Sequence, residues 1–242
     1  MSLQSLTRPT LSVSRICTAC LQQTRNASRL KSESTSWVFN TVPVRKQLSP
    51  RQREFLEKAI RVNQAGELGA NLIYAGQYAL LKHDPKLKPI IAHMWDQEKV
   101  HLDTFNDLIV KHRVRPTAMR PLWNVAGYGL GLITAALGEK AAMACTEAVE
   151  TEIGGHYNGQ VRELLSMIRE FGEELNPKNI PEGEEKGELV RLIEIVRKFR
   201  DEELEHLDTA VERGAKETDG YELLSGVIRG GCKGAIWLSS RI

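Results

Sequence analysis

Residues 98–104 read Glu-Lys-Val-His-Leu-Asp-Thr, and residues 203–209 read Glu-Leu-Glu-His-Leu-Asp-Thr. Five of the seven positions are identical. On a helix, residues at i and i+3 share a face, so Glu98 points with His101 and Glu203 with His206. Two Glu-x-x-His turns on separate helices are half of a dinuclear carboxylate metal site. The other half is one Glu from each of two further helices.

A longer repeat supplies those two glutamates. QAGELGANLIYAGQ (64–77) and EAVETEIGGHYNGQ (147–160) align at an offset of 83. They match at Ala65 and Ala148, Glu67 and Glu150, Tyr74 and Tyr157, Gly76 and Gly159, and Gln77 and Gln160. The Glu-x-x-His copies stand 105 apart, so the second unit carries 22 extra residues. The polar stretch EFGEELNPKNIPEGEEKGE (170–188), with its prolines and glycines, accounts for most of them and reads as a loop. The chain is a duplicated helix pair, and this predicts an all-α four-helix bundle.

Each candidate ligand lies on an apolar helical stripe. One stripe is Ile91, Met94, Trp95, Glu98, His101, Leu102, Phe105, Ile109; another is Leu189, Leu192, Ile193, Val196, Phe199, Glu203, His206. Glu150 sits among Met143, Ile153 and Tyr157, and Glu67 on a more polar stripe with Asn63, Gln64, Asn71 and Tyr74. Carboxylates facing a core are costly unless paired or bound to metal. A single Glu-x-x-His is usually a solvated pair, but two copies, each with a stripe glutamate in a matching repeat, point to two divalent cations. Carboxylate and imidazole donors suit iron or manganese, and no cysteine pair at the site suggests structural zinc. Glu147 shares the stripe of Glu150, but the repeat sets it against Gln64, which favours Glu150 as the ligand.

The chain has 242 residues and a net charge of +2, which hides an asymmetry. Seven of its 33 Lys and Arg but one of its 31 acids (Glu33) lie in 1–47, so the remainder is net −4. The folded part thus has no basic footprint for nucleic acid. The acid-poor start, with Arg8, Arg15, Arg25, Arg29, Lys31 and many Ser and Thr, has the composition of a mitochondrial transit peptide. We therefore expect 1–47 to be transit peptide and disordered linker, and 48–242 to be the folded domain. Cys17 and Cys20 form a Cys-x-x-Cys within the removed part; Cys145 and Cys232 are expected to be reduced.

Ser49-Pro50-Arg51-Gln52 is a capping box with proline at the first helical position, and Asp84-Pro85 is expected to start the second helix similarly. The pattern predicts six helices, about 49–82, 84–112, 120–137, 139–170, 186–214 and 217–240. The third carries no charge from Leu122 to Gly138 but is too short to span a bilayer. The last has Leu224, Val227, Ile228, Ile236, Trp237 and Leu238 beside Arg229, Lys233 and Arg241, which suits an anionic membrane surface. Both are read as extra apolar, membrane-facing helices. Gly127, Gly129 and Gly131 are expected to leave space for a channel toward Glu67 and Glu150, with Leu130 and Ile133 on the lipid side.

RVNQAGELGANLIYAGQ, MWDQEKVHLDTFN, RVRPTAMRPLWNVAGYGLG, AAMACTEAVETEIGGHYNGQ and FRDEELEHLDTA together resemble the demethoxyubiquinone hydroxylase family, over about residues 50–242. The resemblance implies a ferritin-like fold. It also implies a di-iron monooxygenase that hydroxylates the free ring carbon of demethoxyubiquinone with O2, in ubiquinone biosynthesis. By position, the family's iron ligands fall on Glu67, Glu98, His101, Glu150, Glu203 and His206. The family's His-Tyr pair falls on His156 and Tyr157, which are carried over as candidates for quinone contact or a proton relay. Asn63 and Gln64 depart from the family's Asp and His. NADH is implied as the electron source, although the chain has no Gly-x-Gly-x-x-Gly loop. The implied location is peripheral, on the matrix side of the mitochondrial inner membrane. The implied partners are a polyprenyl quinone and other ubiquinone-biosynthesis proteins in a complex, including a lipid-binding one. The competing readings are a ferritin-like ferroxidase and a non-catalytic assembly subunit.

Overall fold

The structure is a computed structural model that describes residues 48–170 and 187–242, all within one unit, Pro43–Ile242. The expected transit peptide, the Cys17–Cys20 motif and most of the 170–188 loop lie outside the described residues. These residues form six α-helices: α1 Pro50–Leu81, α2 Lys88–His112, α3 Arg120–Ala136, α4 Glu139–Glu170, α5 Glu188–Glu212 and α6 Tyr221–Ser239. A 3-10 turn, Ala215–Glu217, precedes α6. Among the described residues there is no strand, and the architecture is an all-α, ferritin-like bundle.

The start of α1 follows its sequence. Ser49 Oγ accepts from the Gln52 amide at 3.2 Å, while Gln52 Oε1 accepts from the Ser49 amide at 2.9 Å. The start of α2 differs from expectation. Asp84 Oδ1 accepts from Lys86 N at 2.7 Å and closes a turn, but the regular helix begins at Lys88. Pro89 has no N–H to bond back to residue 85, which suits it to the first turn of a helix and not to the interior of one begun at Asp84. The start of α6 also shifts, to Tyr221, because Thr218 is extended and Gly220 takes a φ of 69°.

Helices α1 and α2 pack together, as do α4 and α5; α3 leans on α1 and α6 on α4. One core, with Ile60, Phe105, Tyr157, Leu164, Ile193 and Phe199, unites α1, α2, α4 and α5. A second, with Tyr74, Ile91, Met94, Met143 and Ala210, unites the same four helices again.

The two outer helices are attached differently. A Cβ at Gly131 would stand 2.0 Å from the Ile73 carbonyl oxygen, and one at Gly76 2.4 Å from that of Tyr128. Gly127 meets Gly69 in the same way, at 3.0 Å. This corrects the expected use of the glycines: Gly127 and Gly131 let two backbones touch, and Gly129 has no neighbour within 4 Å. On the other side no glycine of α6 is in close contact, and α6 is tied to α4 by Arg229 Nε to Glu152 at 2.7 Å and Tyr221 to Glu147 at 3.0 Å. One tight seam and one loose one leave a gap between α3 and α6, which are joined by Trp123 Nε1 donating to Ser239 Oγ at 3.1 Å.

Candidate metal centre

The six sequence-selected ligands converge inside the bundle. Glu67, Glu98, His101 and Glu203 form one group, and Glu98, Glu150, Glu203 and His206 a second. In each group the donor atoms lie within 4.8 Å of one another. Glu98 and Glu203 belong to both, so the geometry singles them out as the carboxylates able to bridge two cations. None of the six is more than 1% exposed. Glu147 is in neither group; it accepts from the Tyr221 hydroxyl at 3.0 Å.

Both histidines present Nδ1 to the carboxylates. His101 Nδ1 is 3.1 Å from Glu203 and 3.5 Å from Glu67. His206 Nδ1 is 3.2 Å from Glu203 and 3.3 Å from Glu98. The outward nitrogens are held across the bundle: His101 Nε2 by Glu202 at 2.8 Å, and His206 Nε2 by Gln97 at 2.9 Å. An outer acceptor for Nε2–H fixes the tautomer that leaves Nδ1 free to ligate. Phe199 stacks on His101 at 4.0 Å between ring centroids and fixes its plane.

The repeat also returns as a crossed pair of tyrosines. Tyr157 donates to Glu67 Oε1, and Tyr74 donates to Glu150 Oε1 at 2.8 Å. Both phenols are held above their ordinary value, by burial first and then by the adjacent carboxylates. They stay protonated and act as donors. Behind them, Gln160 Nε2 donates to Asn63 at 2.7 Å and to His156 Nε2 at 2.9 Å. In the matching place, Gln77 Nε2 bonds the Ala142 carbonyl at 3.1 Å. His156 is thus outside the ligand groups. Burial, followed by Lys58, pushes its pKa down to about 4, so it is neutral at pH 7.

Burial and mutual repulsion push Glu98 and Glu150 up, whereas Glu203 is held down to about 2. Burial also works against the Glu203 anion but is outweighed by the adjacent His101 and His206 rings. Several acceptors have no hydrogen-bond donor: Glu67 Oε2, both oxygens of Glu98, Glu150 Oε2, Glu203 Oε2 and also His206 Nδ1. A buried polar atom left unpartnered costs about 1–3 kcal/mol, and more if charged. Six such atoms facing one space fit a pair of divalent cations, which would satisfy all of them. The donor set suits iron or manganese.

An apolar cavity of about 390 Å³ lies between α1, α3, α4 and α6. Its inner wall includes Gly66, Ala70, Val149 and Ile153, which flank Glu67 and Glu150 in sequence; its outer wall includes Leu130, Val227, Ile228 and Cys232. Leu130 therefore lines the cavity instead of facing outward with Ile133. Val125 and Ile133 on α3 and Leu223 and Val227 on α6 are each more than three-fifths exposed. Among the described residues, no helix is long and apolar enough to cross a membrane. A second cavity of about 430 Å³, lined by Lys58, His156, Lys233 and Arg241, lies beside the first.

Sequence reasoning missed Tyr74, Gln97 and Glu202 as partners of the ligands. The signal was present: Tyr74 is a matched repeat position, and Gln97 and Glu202 each precede the glutamate of a Glu-x-x-His turn.

The family model described as "Ubiquinone biosynthesis protein COQ7" matches residues 54–239. The chain is 47% identical over 196 residues to the Saccharomyces cerevisiae protein named "5-demethoxyubiquinone hydroxylase, mitochondrial", covering 81% of this chain and 82% of that one. It is 48% identical over 190 residues to the Bos taurus "NADPH-dependent 3-demethoxyubiquinone 3-hydroxylase, mitochondrial", covering 78% and 79%. It is 42% identical over 193 residues to the Rhodospirillum rubrum "3-demethoxyubiquinol 3-hydroxylase", covering 80% and 81%.

Proposed function

The chain belongs to the COQ7 family of ubiquinone biosynthesis proteins, and we propose that it hydroxylates the ring of demethoxyubiquinone at a di-iron centre. Glu67 and His101 would hold one iron and Glu150 and His206 the other, with Glu98 and Glu203 available to both. The observation that carries this reading is the apolar cavity of about 390 Å³ whose inner wall is built from the neighbours of Glu67 and Glu150. A ferroxidase has no use for an apolar chamber against its ligands, and an assembly subunit has no use for six converging donors.

Bound iron supplies the two-electron activation of O2 that ring hydroxylation requires. The chain's residues do the rest. With cations bound, the buried carboxylates of Glu98 and Glu203 would offset their charge in a medium of low dielectric. Tyr74 and Tyr157 hold one oxygen of Glu150 and Glu67, which leaves the other oxygen for the metal. Val149, Ile153, Ile228 and Leu130 exclude water and orient the quinone ring toward the carboxylates. Neutral His156, the residue immediately before Tyr157 and bonded through Gln160 to Asn63, would serve the proton relay beside that tyrosine.

The exposed apolar faces of α3 and α6 support docking of the enzyme on a bilayer, from which a polyprenyl quinone enters the cavity between these helices. We place it on the matrix face of the mitochondrial inner membrane, delivered by residues 1–47 and working with other ubiquinone-biosynthesis proteins. The reductant is a reduced nicotinamide nucleotide. The resemblance implied NADH, and several relatives are named NADPH-dependent. The test is single-turnover reaction of the iron-loaded, reduced protein with demethoxyubiquinone and O2. Hydroxylated quinone is the expected product; iron oxidation without it would sustain the ferroxidase reading instead.

A further inference from the structure

The duplication that builds the centre is broken at a pair of positions that hydrogen-bond the two histidines. The residue before each Glu-x-x-His turn reaches across the bundle to the histidine of the other unit. In one direction it is a carboxylate, Glu202 on His101 Nε2 at 2.8 Å; in the other it is a neutral amide, Gln97 on His206 Nε2 at 2.9 Å. Each contact is made by a partly buried side chain, and each leaves Nδ1 toward the carboxylates. The other oxygen of Glu202 lies 3.7 Å from Lys198 Nζ, and the side chain keeps 23% of its surface in solvent.

We propose that Glu202 and Gln97 make the two metal positions unequal, with the Glu67–His101 position holding its iron more tightly than the Glu150–His206 position. A hydrogen bond to an ionised acceptor is shorter and roughly twice as strong as a neutral one. It also draws the Nε2 proton outward and makes Nδ1 a stronger donor to a metal. Gln97 Oε1 orients His206 equally well but adds no charge. Changing such an outer partner typically alters metal affinity by roughly 10–100-fold. Glu202 and Gln97 are positioning residues that grade the affinity of otherwise matched sites, and the inference rests on the di-iron reading above.

The experiment is release of ferrous iron from the anaerobically loaded full chain to an excess of chelator. The wild type should release half its iron in a fast phase and half in a phase roughly 10–100-fold slower. Glu202→Gln should merge both into the fast phase, and Gln97→Glu should merge both into the slow phase. The double exchange Gln97→Glu, Glu202→Gln should restore two phases, a result that mere loss of packing cannot produce. Circular dichroism of each apoprotein identifies any variant that fails to fold, and the remaining variants still decide the matter. Single-phase release from the wild type, or a slow phase unchanged in Glu202→Gln, would overturn the inference and leave the di-iron reading intact. Failure of the wild type to take up iron would remove both.

Discussion

The Tyr74 hydroxyl donates to Glu150 Oε1 at 2.8 Å, from the first repeat to the ligand of the second. Tyr157 returns the contact to Glu67. The two tyrosines are matched by the duplication and each is 1% exposed. Removing either hydroxyl strands a second oxygen of a buried carboxylate. Tyr74→Phe should therefore destabilise the metal-free protein by about 1–3 kcal/mol in urea unfolding. Tyr157→Phe should cost a similar amount. Neutral substitutions would mean that the crossed contacts hold nothing in place.

The seam between α1 and α3 gives a sharper contrast. At Gly131 a methyl group would meet the Ile73 carbonyl, whereas at Gly129 it would meet open space. Gly131→Ala should lower stability by at least about 1–3 kcal/mol through overpacking. Gly129→Ala should raise it by up to about 1 kcal/mol, because alanine is the better helix former. Thermal melts of the two variants against the wild type check both signs.

Acid sensitivity follows from the contact between α2 and α5. Lys111 Nζ lies 3.0 Å from Glu188 Oε1, and His112 Nε2 3.2 Å from Oε2. Burial alone would raise Glu188, but hydrogen bonds from His112 and Lys111 win and bring it to about 2, against an ordinary 4.5. A depressed carboxylate contributes stability that is complete above the unfolded value and lost as pH falls through the folded one. The melting-temperature gap between wild type and Glu188→Gln should therefore be constant above about pH 5 and shrink from there toward pH 2. A gap that widened on acidification would contradict the sign.

The proposed membrane docking can be tested separately from quinone binding. Val125 and Ile133 are exposed on α3, whereas Leu130 lines the cavity. Val125→Asp with Ile133→Asp should release the protein from anionic liposomes in a flotation assay and keep its iron. Leu130→Asp should leave liposome binding in place and abolish turnover of long-tailed quinone. Identical behaviour of the two variants would place lipid contact and substrate entry elsewhere.

The six converging donors were legible because each residue sits on a helical stripe facing the core, where an unpaired carboxylate is too costly to be incidental. The membership of Glu98 and Glu203 in both donor groups was not, since it depends on how four helices meet. Gln97 and Glu202 were passed over because a position beside a ligand is rotated about 100° off its face and looks solvated. Their side chains lean across to the next helix instead. The glycines of α3 could equally have meant a channel or a close approach; only the place of the Ile73 carbonyl decides. Asp84-Pro85 suggested a helix start, but Pro89 four residues on delays it.

The central claim is that Glu67, Glu98, His101, Glu150, Glu203 and His206 hold two irons, and iron content per folded chain after anaerobic loading tests it most directly. The account predicts two irons in the wild type and in Glu147→Ala, whose side chain is turned to Tyr221. It predicts fewer in Glu150→Ala. Full iron in Glu150→Ala, with loss in Glu147→Ala, would contradict it.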